Sequence, residues 1–192
     1  MKKLAVILIV SAMILSLSFA NGASETNSKI NVISREEGSG TRGAFVELTG
    51  VEEKIDGVKV DQTTLDAEIA SSTSVVITTV EGDKNAIGYI SLGSLSDKVK
   101  AIEVDGVYPT TESVKSGEYK ISRPFVVAFK TLSETAEDFL KFVMSSNGQD
   151  IVEKKGYIRV DDGNKYAYES SKKSGSVTIS GSSSVYPVME VL

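Results

Sequence analysis

Apolar residues fall into short runs separated by small and polar stretches, and the runs differ in kind. Ile30 to Ser34 is a compact β-branched run that predicts a buried strand. Ala86 to Leu92, Val99 to Val104 and Phe125 to Phe129, the last just after Pro124, predict further strands. Helical spacing appears elsewhere. Thr41 to Leu48 fits a helix ending at Thr49-Gly50, and Pro109 to Glu112 resembles a helix start. Ser133 and Glu134 open the clearest helix, with Phe139, Leu140, Phe142 and Val143 on one stripe and a break at Asn147-Gly148. Gln149 to Lys155 adds a turn or two. Val51 to Asp66 reads as irregular. Ala67 to Val80 is ambiguous: its propensity favours a strand, while Ser71 to Ser74 could cap a helix. Ser176 to Ser180 predicts one more strand, running into Gly181 and Ser182 to Ser184. Strands alternate with helices, so the expected class is α/β.

The longest apolar run is of another sort. Lys2 and Lys3 precede Leu4 to Leu17, and Ser18-Phe19-Ala20 follows with small residues. This order predicts a signal peptide over residues 1–20, cleaved near Ala20 or Ala23, and an exported protein. The run is shorter than the roughly 20 apolar residues of a spanning helix. Residues 21–29 form a predicted disordered start, 30–160 a folded lobe, 161–175 a polar linker, and 176–192 a strand and Ser/Gly loop. The chain has no cysteine, histidine or tryptophan. That removes disulfides, a Ser-His-Asp triad, a cysteine nucleophile and His-ligated zinc, and no metal or cofactor is expected. The formal net charge is −5, which argues against nucleic acid as a partner. Any anion site must therefore be local.

Two Ser/Gly loops are candidates for such a site. Each follows a predicted strand and precedes a predicted helix. The first N–H groups of a helix have no intrahelical partner, and the helix dipole makes that end partly positive. In the first loop, Ser39 and Thr41 bring hydroxyls, Gly40 an unobstructed N–H and Arg35 a bidentate donor for an oxyanion. The second places Ser182, Ser183 and Ser184 in the same relation to a helix, with Pro187 in its first turn. No lysine follows the first glycines at Walker spacing. Of Glu36 and Glu37, one is expected to pair with Arg35 and the other to be solvated. Arg42 is a solvated charge or an anion-steering one.

The stretch "INVISREEGSGTRGAF" resembles the opening of the second lobe in the PstS-like phosphate-binding proteins of ABC transporters, which have the type 2 periplasmic-binding-protein fold. "AIGYISLG", "ISRPFVVAFK" and "FLKFVMSSNGQDIVEKKGYI" resemble later segments of that family. The resemblance implies phosphate contacts from Arg35, Ser39, Gly40 and Thr41. It puts Glu37 where many members carry an aspartate that supports the arginine, and it favours a helix over Ala67 to Val80. "SGSVTISGSSSVYPVMEVL" is similar to the family's N-terminal strand and phosphate loop, in which a hydroxyl and the next backbone N–H bind phosphate. Those contacts would fall at Ser183 and Ser184.

In the family's usual order that signature comes first; here it comes last. The usual stretch between the two signatures, which carries a further phosphate-binding serine and an aspartate, has no counterpart. The expected fold is therefore a partial one, mostly the second lobe plus pieces of the first. A fragment of an open reading frame, half of a split protein and a self-sufficient module are the open accounts, the first two preferred. The function implied is non-catalytic binding of inorganic phosphate or a similar oxyanion. Its partners would be an ABC transporter permease and a chain carrying the missing first-lobe segment. The rival is a scaffold protein of this fold without ligand binding.

Overall fold

The computed structural model describes residues 29–160, 166–171 and 174–192. The predicted signal peptide lies outside them, as do residues 21–28 and parts of the predicted linker. Strand β1 (Asn31–Arg35) is the centre of a three-stranded parallel sheet, flanked by β4 (Glu68–Ala70) and β5 (Ala86–Gly88). Ile33 pairs with Glu68 on one side and with Gly88 on the other. Helix α1 (Gly40–Thr49) follows β1 and helix α2 (Thr73–Gly82) follows β4. Both strand-to-helix loops therefore open at the carboxyl ends of neighbouring parallel strands, where ligand crevices form in open α/β sheets.

The core follows from β1's alternation. Ile33 packs with Ala70 and with Val76 of α2, joined by Val80, Ala86 and Ile90. Ser34, one residue on, has its hydroxyl 2.8 Å from the Tyr89 phenol, and the Tyr89 ring stacks on Phe45 of α1 with centroids 4.1 Å apart. One strand thus ties a helix to each face of the sheet. Gly88 has a packing reason: an added Cβ would lie 2.8 Å from Val76 Cγ1.

Several expectations hold with shifted ends. Helix α1 stops at Gly50, which takes a left-handed φ of 73°. Ala67 to Val80 resolves into both of its alternatives, β4 first and then α2, with Ser72 capping the helix through a bond from the Val75 N–H. Helix α3 (Thr111–Lys115) begins where Pro109 to Glu112 suggested. Helices α4 (Glu134–Met144) and α5 (Ser146–Lys154) are separated at Ser145, not at Asn147-Gly148. Gly148 lies inside α5, where a side chain would collide with the carbonyls of Phe142 and Val143. A last short helix, α6 (Tyr186–Met189), carries Pro187 in its first turn.

Other expectations fail. Val51 to Asp66 is not irregular: β2 (Glu52–Ile55) and β3 (Val58–Asp61) form an antiparallel hairpin turned by Asp56-Gly57, both with positive φ. The predicted strand over Ala86 to Leu92 ends at Gly88. Val99 to Val104 yields a single bridge, Val104 with Val107. Phe125 to Phe129 and Ser176 to Ser180 form no strand. The cause is the same for both. A strand exists only as one side of a ladder, and neither segment has a pairing neighbour among the described residues.

The Gly88 contact gives a test. Gly88→Ala should destabilise the fold by about 1–3 kcal/mol through overpacking, read as a lower urea midpoint at unchanged m-value.

Candidate functional site

At the carboxyl end of β1, the Arg35 side chain is fully buried. Its five N–H groups all have acceptors. Nε and Nη2 donate to the two oxygens of Glu36, each at 2.8 Å. Nη2 donates to Ser183 Oγ at 2.9 Å, and Nη1 to Thr73 Oγ1 at 3.1 Å and Ser184 Oγ at 3.5 Å. Thr41 Oγ1 lies 2.7 Å and Thr73 Oγ1 2.9 Å from Ser184 Oγ. The two Ser/Gly loops, at opposite ends of the described chain, therefore meet: the second bonds the Arg35 guanidinium through Ser183 and Ser184, and the first reaches Ser184 through Thr41.

The second loop is held there by its own contacts. Ser184 is fully buried and Val188 of α6 nearly so. The Tyr157 phenol donates to the Ser184 carbonyl at 2.8 Å. Gly93 lets Tyr157 reach that position, since a Cβ at Gly93 would sit 2.6 Å from the tyrosine ring. So the tail's hydroxyl loop is seated even though its predicted strand is not formed.

The sequence-predicted residues divide. Arg35, Thr41, Ser183 and Ser184 come together in one hydroxyl-guanidinium cluster. Ser39 stands beside them as the N-cap of α1, accepting from the Arg42 N–H at 3.3 Å. Gly40 is the first residue of that helix, and a side chain there would meet nothing within 4 Å. The carboxylate on Arg35 is Glu36; Glu37, placed in the supporting role by the resemblance, is exposed. The reason is geometric: Glu36 carries both oxygens onto the Nε–Nη2 edge of its neighbour, which fills that edge. Arg42 is not a free anion-steering charge. Its Nε bonds Asp61 at 2.7 Å and its Nη1 the Arg35 carbonyl at 2.8 Å, fastening the β2–β3 hairpin to the loop.

Three participants were not singled out as site residues from the sequence. Thr73 was hidden in the ambiguous Ser71 to Ser74 stretch, although a hydroxyl pair before an apolar run is a helix-start signal. Tyr89 and Tyr157 carry no local signal, because their roles depend on contacts 27 or more residues away.

Proteins of known kind resemble this chain in sequence and in fold. A family model described as a PBP superfamily domain matches residues 19–147. The phosphate-binding protein PstS 2 of Streptococcus agalactiae is 51% identical over 173 residues, covering 88% of this chain and 58% of the relative. This chain belongs to the PstS-like family of phosphate-binding proteins. The PstS 2 protein of Streptococcus pneumoniae is 45% identical over 164 residues, covering 85% of this chain and 56% of its own length. A crystal structure of a phosphate-binding protein of a phosphate ABC transporter from Streptococcus pneumoniae superposes with a TM-score of 0.70 at 45% identity, over 85% of this chain and 63% of that one. A putative phosphate ABC transporter substrate-binding protein from Clostridium perfringens, solved with bound phosphate, gives 0.62 at 42% identity, over 69% and 52%. The chain thus spans a little over half the length of these two curated relatives, and its fold is a partial PBP-like α/β domain.

The ion pair sets a pH dependence. The hydrogen bonds from Arg35 hold the Glu36 carboxyl below its ordinary value of 4.5, outweighing burial. A lowered folded-state pKa adds stability that is present above the unfolded-state value and lost as pH falls through the folded one. Wild-type stability should therefore fall as pH drops below the ordinary Glu36 value of 4.5. Glu36→Gln should show a smaller drop, measured as urea midpoints over the same fall in pH.

Proposed function

We propose that this chain binds inorganic phosphate as the solute-binding component of an exported uptake system, delivering it to an ABC transporter permease. The observation that carries the reading is the meeting of the two Ser/Gly loops beside the buried Arg35 guanidinium, the second on Arg35 itself and the first on Ser184 through Thr41. An oxyanion arriving there meets donors: the hydroxyls of Ser39, Thr41, Ser183 and Ser184, and the first-turn N–H groups of α1. Glycine at position 40 is not demanded by neighbouring protein atoms, which suits a backbone that a ligand approaches. The reading involves no catalytic step. The charged and apolar opening of the sequence supports export.

Isothermal titration with phosphate tests this. Saturable binding is expected, abolished or sharply weakened by Arg35→Ala and weakened by Thr41→Val. Binding that neither substitution alters would place the ligand elsewhere, and no binding at all would favour the scaffold alternative.

The reading extends to a partner segment. Phe125, Val126, Val127 and Phe129 are exposed, Val126 by 82%. Close to the tail, Phe139, Phe142, Val177, Ile179 and Met189 line an open groove of about 410 Å³. In this proposal the first-lobe segment of the family packs on this face, giving Phe125–Phe129 and Val177–Ile179 the ladder partners they lack among the described residues. Charge-assisted hydrogen bonds contribute roughly 1.5–3 kcal/mol each. Two more from such a segment would tighten phosphate binding by about 100-fold or more. Hydrogen exchange is the measurement: fast exchange across Val177 to Ile179 in the isolated chain, slowed when a polypeptide carrying that segment is added. Strong protection in a dilute monomer would refute the partner and favour a self-sufficient module.

A further inference from the structure

The hydroxyl cluster contains a group that neither Ser/Gly loop supplies. Thr73 is the first residue of α2, directly after the N-cap Ser72, and is 4% exposed. Its backbone N–H, which the helix leaves without an internal acceptor, points to Ser183 Oγ at 3.4 Å. Its hydroxyl, with those of Thr41 and the Arg35 Nη1, surrounds a single atom, Ser184 Oγ, at 2.9, 2.7 and 3.5 Å. These three groups come from α2, α1 and β1. Arg35 only donates, so the Thr73 oxygen accepts from it and keeps its own proton for another partner.

A serine hydroxyl fills that place by accepting from Arg35 and one threonine on its two lone pairs and donating its single proton to the other threonine, so it never accepts from all three groups at once. An oxyanion oxygen carries only lone pairs and takes all three as charge-assisted bonds. We propose that Thr73 is an oxyanion-contacting residue, and that Arg35, Thr41 and Thr73 form a cradle for one ligand oxygen at the position marked by Ser184 Oγ. Ser184 then serves the ligand through its backbone N–H, the group that the family resemblance assigns to phosphate, which exchanges its present acceptor, Ser182 Oγ at 3.2 Å, for the anion. The inference rests on the phosphate reading and adds the end of α2 to it, so that two helix N-termini face the same anion.

The test compares inorganic phosphate titrations of the wild-type chain, Thr73→Val and Thr73→Ser. Thr73→Val keeps the side-chain shape and removes the hydroxyl; binding about 10-fold weaker or more is expected. Thr73→Ser restores a hydroxyl and should stay within about threefold of wild type. Urea unfolding establishes that each variant is folded, and Thr73→Ala replaces Thr73→Val if the latter is not. Unchanged affinity in the hydroxyl-free variant overturns the role of Thr73 and leaves the phosphate reading standing. Equal loss in Thr73→Ser and Thr73→Val overturns it as well, because shape and not the hydroxyl would then matter. Absence of phosphate binding by the wild-type chain overturns both.

Discussion

A guanidinium with no solvent exposure dominates this fold. A buried charge is costly unless it is paired and its donors are satisfied. Arg35 meets both conditions, but only when three segments are in register. Glu36 extends β1, Thr73 opens α2, and Ser183 and Ser184 lie at the far end of the chain. Removing any of them leaves a donor of a buried cation without an acceptor. The position of the tail loop is therefore tied to the same requirement as the sheet's central strand.

The topology explains why the donors converge. In a parallel sheet all strands end on one edge, and each helix starts just beyond that edge. With β1 beside β4, the starts of α1 and α2 are neighbours although Thr41 and Thr73 are far apart in sequence. Two partly positive helix ends then lie next to a cation whose charge Glu36 balances. In the proposed reading, an anion is favoured by oriented N–H and O–H dipoles around a neutralised pair. That suits a chain with a net charge of −5, in which long-range attraction of an anion is weak and selectivity has to act at contact.

What was legible in the sequence was whatever is encoded locally. The β-branched run of β1, the Ser39 cap with Gly50 as stop, and the apolar stripe of α4 each announce themselves within ten residues or so. The Arg35–Ser39–Gly40–Thr41 constellation was readable for the same reason, and the resemblance it carries agrees with the relatives found. Errors arose where the outcome depends on a partner. Phe125 to Phe129 and Ser176 to Ser180 have strand propensity but no ladder among the described residues. The β2–β3 hairpin carries an Asp56-Gly57 turn signal, but its strands are too polar to look buried. Choosing between Glu36 and Glu37 required knowing which edge of the guanidinium faces the chain, and this is a tertiary fact.

The meeting of the two Ser/Gly loops was the least local feature, and it has a physical logic of its own. Arg35 and Ser184 are 149 positions apart, so closing that contact carries a large loop-entropy cost that a hydrogen bond of 3.5 Å does not offset. The offset comes from burial around it: Val188 in the last helix, and Tyr157 packed against Gly93 while donating to the Ser184 carbonyl. Tyr157 anchors the loop through its backbone, so the seat does not depend on what the Ser184 hydroxyl bonds to. That separation allows the hydroxyls of the loop to exchange acceptors while the loop stays in place, which a site that trades internal hydrogen bonds for those of an anion requires.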